Sequence, residues 1–174
     1  MPVSPALFLR PGDYFFGHYN GPVTTLLGSC VSIILWHPGR QLLAVSHYVL
    51  PRDPLLRSDQ APGEPFDTRY GDAVFQRLLA DMQRCGTNPA QYRKSLFGGG
   101  ILTGLKGRAE QAALRVGHAN SEFARHQFEQ RNWPVDHCDL AGEHYRRLSI
   151  DGASGRIDCQ RKAMRLPVSR RLSS

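Results

Sequence analysis

Apolar positions along the chain follow two periods, and the shorter one governs the opening third. Val23-Thr-Thr-Leu-Leu27 and Val31-Ser-Ile-Ile-Leu-Trp36 are short runs of β-branched and apolar residues separated by Gly28-Ser29, so both read as strands. His37-Pro-Gly-Arg40 reads as a turn, and residues 42–50 as a further strand that Pro51 stops. Upstream, Asp13-Tyr-Phe-Phe16 enters a short strand after an irregular, proline-containing start. Residues 52–69, with several prolines, predict a long loop.

Helical spacing takes over at Val74, Leu78, Met82 and Cys85, with Phe75 and Leu79 widening the stripe. This predicts a helix over 70–85, with Gly86 suited to end it in a left-handed conformation. Residues 92–97 predict a strand ahead of Gly98-Gly-Gly100. A loop is expected from there to residue 117, then a second helix with Asn120 as N-cap and Phe123, Ala124 and Phe128 as its apolar stripe. Pro134 bars its continuation. Residues 135–140, 145–150 and 156–159 read as short strands, the last two joined by Asp151-Gly-Ala-Ser-Gly155. Strands outnumber helices and do not alternate regularly with them, which predicts an α+β fold with largely antiparallel pairing. A chain of 174 residues suits one domain, here 1–162, followed by a basic, flexible tail over 163–174.

Composition narrows the function classes. The longest early apolar run, residues 6–9, is too short for a signal sequence, and no segment approaches the roughly 20 apolar residues of a membrane helix. A cytoplasmic protein without membrane insertion is expected. Cys30, Cys85, Cys138 and Cys159 form no C-x-x-C pair and have no histidine at zinc spacing. No metal or organic cofactor is expected, and at most one of these thiols is chemical. The net charge of +7 suits an acidic partner surface; no helix-turn-helix, RNA-recognition or zinc signature supports a nucleic-acid partner.

Cys30 and His47 are the candidate chemistry. If His37 pairs with Arg40 around a two-residue turn, paired residue numbers sum to 77, and Cys30 lies opposite His47 on one face. An imidazole beside a thiol can take its proton and make the nucleophilic thiolate. Such an imidazole needs a third group to hold its orientation, and Thr24 or Thr25 is available for that. Gly28 lets backbone approach a substrate, and N–H groups around Ser29 and Cys30 suit a developing oxyanion.

Several motifs also carry a resemblance. T-T-L-L-G-S-C-V around Cys30, then S-H-Y-V-L-P51, R-Y-G-D72, K-S-L-F-G-G-G100, V-G-H-A-N120, D-L-A-G-E-H-Y-R-R147 and D-G-A-S-G-R156 resemble, in order, the motifs of the chemoreceptor glutamine deamidase family, CheD. The resemblance covers roughly residues 14–160. It implies a layered mixed or antiparallel β-sheet core with outer helices, similar to the deamidating cytotoxic necrotizing factor toxins. It implies hydrolysis of glutamine side-chain amides on methyl-accepting chemotaxis receptors through a cysteine thioester, with receptor methylesterase chemistry conceivable beside it. A CheC-type phosphatase is the implied regulatory partner. Carried over by position, Cys30 is the nucleophile, His47 the base and Thr24, rather than Thr25, the third residue. Gly100 stands where the family has alanine, and Ala141 and Arg146 stand where it has glycines, which bears on the substrate rim. The competing function is a non-catalytic chemotaxis adaptor of the same fold.

Overall fold

Strand alternation sorts the chain into two sheets and leaves two amphipathic helices to cover one of them. The computed structural model describes residues 2–56, 65–101 and 107–163. Its strands are β1 (Leu7–Leu9), β2 (Tyr14–Gly17), β3 (Pro22–Leu27), β4 (Val31–His37), β5 (Leu42–Ser46), β6 (Arg93–Gly98), β7 (His137–Leu140), β8 (His144–Asp151) and β9 (Ile157–Ala163). The helices are α1 (Gly71–Arg84) and α2 (Arg108–Gln130). A four-stranded sheet runs β1-β3-β8-β9 and a five-stranded sheet runs β2-β5-β4-β6-β7. The β1–β3 and β6–β7 pairs are parallel and all others antiparallel, so both sheets are mixed and the class is α+β.

The layers follow from which faces are apolar. Val23, Leu27, Leu148 and Ile150 of the smaller sheet pack on Ile34, Leu43, Val45 and Phe97 of the larger one. On the larger sheet's other face, Ile33, Leu35, Ala44 and Leu96 meet Val74, Phe75 and Leu78 of α1 and Phe123 and Phe128 of α2. The larger sheet is thus buried on both faces, which is why β4 and β5 read as unbroken apolar runs. β3 instead buries Val23, Thr25 and Leu27 and turns Thr24 and Leu26 outward. No described helix is long and apolar enough to cross a membrane.

Four expectations are corrected. The β4–β5 turn takes four residues, with His37 pairing Leu42, so paired numbers sum to 79 rather than 77. Gln41, at φ 51°, supplies the left-handed residue, and the Arg40 N–H donates to His37 Nδ1 at 3.1 Å inside the turn. The strand begun at Leu42 ends at Ser46, short of residue 50, because there β5 peels away from β4: the Ile33 N–H donates to Ser46 Oγ at 2.9 Å in place of a backbone partner. The second helix begins at Arg108, not at Asn120. Its first turns are rich in Ala, Glu, Gln and Leu, all good helix formers, and Gly117, which reads as a break, allows close contact with the Gly99 and Gly100 carbonyls. Finally, Arg146 is not a rim residue. It is 2% exposed, paired to Asp139 at 2.9 Å and donating to the Ala141 carbonyl at 2.6 Å. Ala141 itself sits at φ 66°, a conformation that glycine adopts more readily than alanine. The expected tail beyond Ala163 and residues 57–64 of the expected long loop lie outside the described residues.

Candidate active site

The site is built where β3 of the smaller sheet hands the chain to β4 of the larger one. Gly28, Ser29 and Cys30 form that crossing. All three of their carbonyls are taken up: Gly100 N–H donates to Gly28 O at 2.8 Å, Asn120 Nδ2 to Ser29 O at 2.8 Å, and Gly99 N–H to Cys30 O at 2.8 Å. The N–H groups of Ser29 and Cys30 donate to no described residue. Clamping the carbonyls fixes the peptide planes and leaves those donors available to an incoming oxyanion.

The Gly98-Gly-Gly100 run is what makes the clamp. Gly98 (φ 116°) and Gly99 (φ 64°) occupy conformations that disfavour side chains. A Cβ on Gly98 would overlap the Cys30 carbonyl, and one on Gly99 would overlap Ser121 Oγ. A triple glycine after a strand signals such close approach, although its partner is not readable from the spacing.

Asn120 is fully buried inside α2 and serves no cap. Its Nδ2 donates both to Ser29 O and to Val49 O, each at 2.8 Å. One amide therefore ties the segment carrying Cys30 to the segment carrying His47. Its Oδ1 is buried without a partner among the described residues.

His47 is 1% exposed and held by backbone on both sides. Its N–H donates to Asp13 O at 3.0 Å, and its carbonyl accepts from Gly12 N–H at 2.7 Å. Val31 and Tyr48 exchange backbone hydrogen bonds of 3.1 and 3.0 Å, which puts Val49 opposite Cys30 and Ser32 opposite His47. Cys30 and His47 are thus diagonal neighbours on one face rather than directly opposed. Diagonal positions lie roughly 7–8 Å apart in backbone, within reach of long side chains. No hydrogen bond joins the thiol to the imidazole among the described residues.

The threonine on the imidazole is Thr25. Its Oγ1 lies 2.7 Å from His47 Nδ1 and 2.8 Å from the Leu9 carbonyl oxygen. Thr24, which the family spacing selects, is one residue away and so on the opposite face, with Oγ1 3.5 Å from Leu7 O. The Thr25 contacts also set the tautomer. A carbonyl only accepts, so the single hydroxyl proton goes to Leu9 and the oxygen must accept from Nδ1–H. The lone pair is then on Nε2, the nitrogen a general base needs.

Burial pushes the Cys30 thiol up to about 11 and moves His47 below its ordinary value, the latter partly offset by the Leu9 carbonyl and the Asp13 carboxylate. Both shifts favour a neutral thiol and a neutral imidazole at rest, not a preformed thiolate–imidazolium pair. Among the described residues no group of His, Cys, Asp and Glu side chains is arranged to hold a metal ion.

A half-buried thiol, an imidazole with its tautomer fixed and a clamped backbone crossing thus lie close together at the junction of the two sheets. Residues 49–161 match the family model described as CheD chemotactic sensory transduction. That match begins just past Cys30 and His47, whereas full-length relatives align across them. A probable chemoreceptor glutamine deamidase CheD 2 of Albidiferax ferrireducens is 36% identical over 151 residues, covering 87% of this chain and 84% of the relative. A probable CheD 3 of Dechloromonas aromatica is 33% identical over 152 residues, covering 87% and 84%. A probable CheD 1 of Chromobacterium violaceum is 34% identical over 156 residues, covering 90% and 77%. The chain belongs to the CheD family.

Proposed function

We propose that this protein deamidates glutamine side chains on methyl-accepting chemotaxis receptors, with Cys30 as nucleophile and His47 as base. The observation that carries the reading is the Leu9–Thr25–His47 chain, which leaves Nε2 as the basic nitrogen of a ring on the same sheet face as Cys30. Nε2 takes the thiol proton as sulfur attacks the amide carbon, and the oxyanion forms against the Ser29 and Cys30 N–H groups. His47 returns the proton to the departing nitrogen, so ammonia leaves and a thioester remains. Water then gives a proton to Nε2 and attacks the thioester carbon; the C–S bond breaks, the thiol is reprotonated and glutamate is released. Gly28 shapes the crossing, and neither metal nor organic cofactor takes part.

Receptor methyl esters present the same carbonyl, and their slower hydrolysis belongs to this proposal. So do a cytoplasmic setting, a CheC-type phosphatase as regulatory partner, and kinship of fold with the cytotoxic necrotizing factor toxins. Ammonia release from purified receptor tests the mechanism. Cys30→Ala and His47→Ala are expected to lower it by about a thousandfold or more. Undiminished release by Cys30→Ala overturns the mechanism, and no release by the parent protein favours the adaptor function.

A further inference from the structure

The outer face of the four-stranded sheet carries no second layer among the described residues. Cross-strand pairing sets its side chains in rows. Leu26, Arg147 and Gln160 are partners across β3, β8 and β9, with Phe8 beside Thr24 in the row on one side and Tyr145 beside Lys162 on the other. A solvated sheet face normally alternates to polar residues at such positions. Here Phe8 is 54% and Leu26 49% exposed. With Tyr145, Arg147, Gln160 and Lys162 they line a groove of about 340 Å³. Single exposed apolar residues carry little meaning, but here two of them line one groove with four side chains that carry polar groups.

Two further observations select the occupant. Arg147 and Lys162 are exposed and make no ion pair with a described residue, in a chain of net charge +7. The other sheet shows which element suits a broad sheet face in this fold, since amphipathic helices cover it. We propose that this face docks an acidic amphipathic helix of a partner protein, its apolar stripe over Phe8 and Leu26 and its carboxylates on Arg147 and Lys162. β3 runs directly from Leu26 into the Gly28–Cys30 crossing, so a helix seated here brings adjoining sequence towards the thiol. The use of docking to present a glutamine rests on the deamidase reading; docking itself does not.

The test reads binding without turnover. The probe is a fluorescein-labelled synthetic helix with leucines at helical spacing flanked by glutamates, titrated by anisotropy against the Cys30→Ala protein. Affinity is expected to fall at least about tenfold in Arg147→Glu/Lys162→Glu, by a similar factor in Phe8→Ser/Leu26→Ser, and progressively with added salt. Thermal melting verifies that each variant remains folded. Unchanged affinity in either folded double variant overturns the proposal. So does equal binding of a scrambled acidic peptide, or a preference for phosphatidylglycerol vesicles or single-stranded RNA. Failure here leaves the deamidase reading standing, and a parent protein that releases no ammonia leaves the docking result standing.

Discussion

The two sheets differ in what lies on their far sides. The five-stranded sheet has helices on one face and the smaller sheet on the other, and β4 is buried almost throughout. The four-stranded sheet has a packed inner face and an outer face that carries Phe8 and Leu26 in the open. Cys30 sits at the one crossing from β3 to β4, so it draws on both environments. The doubly buried side supplies rigidity, through Gly98, Gly99, Gly100 and Asn120. The singly buried side supplies the Thr25 hydroxyl inward and, outward, a face that no described element covers. Precision and access are thereby divided between two layers instead of competing within one loop.

The largest expected effect is on the pH dependence of Cys30 alkylation by iodoacetamide. If the crossing is as buried as its neighbours imply, the raised thiol yields only about one thiolate in ten thousand at pH 7. Because the thiolate is the reacting form, the rate should rise about tenfold per pH unit, or about a hundredfold from pH 7 to 9, without levelling. An ordinary thiol begins to level near 8.5. A plateau at or below neutral pH would instead reveal a thiolate–imidazolium pair and an open, charge-stabilised crossing. Quantifying modified Cys30 by mass spectrometry separates it from Cys85, Cys138 and Cys159.

A smaller effect is expected at Asn120. Asn120→Ala leaves two half-buried carbonyls, those of Ser29 and Val49, without this donor. Each lost donor costs about 1–3 kcal/mol, so melting should fall by several degrees and kcat by about ten- to a hundredfold. Asn120→Asp keeps the shape but removes the N–H donors, and should not rescue. On the bare face, Ser149→Ala should stay within about 0.5 kcal/mol of the parent. Equal losses at the two positions would mean that the layers do not divide the work in this way.

How much of this was readable depends on whether a feature needed only parity or exact placement. β4, β5 and α1 were legible because their apolar periods are strong. Cys30 and His47 were brought together despite a register in error by two residues, because a shift of two preserves the face while a shift of one reverses it. Asn120 was legible as a significant polar residue but not in its role, since a helix cap and a buried mid-helix clamp look alike without the tertiary partners. The Gly98-Gly-Gly100 run reads as a break, and only the fold reveals the Cys30 carbonyl against it.

Thr24 and Thr25 differ in the one property that local sequence leaves open, which of two adjacent side chains faces inward. That depends on β3 pairing with β1 and β8, which are distant in the chain. Here Leu9 aligns with Thr25, so the Leu9 carbonyl and the His47 ring meet the same hydroxyl. Thr25→Val removes that hydroxyl at nearly constant volume, and with it both the contact that fixes the Nδ1 tautomer and the hydrogen bond to Leu9 O. A fall of about tenfold in kcat with little change in KM is expected, and Thr25→Ser should restore most of it. Thr24→Val should stay within about twofold, because its side chain points to the outer face. A large loss at Thr24 with none at Thr25 would reverse the facing of β3 and return the imidazole to the residue that the family's spacing indicates. Since the two substitutions are chemically identical and adjacent, their ratio cancels general effects of exchanging a hydroxyl for a methyl and reads which of the two side chains faces the imidazole.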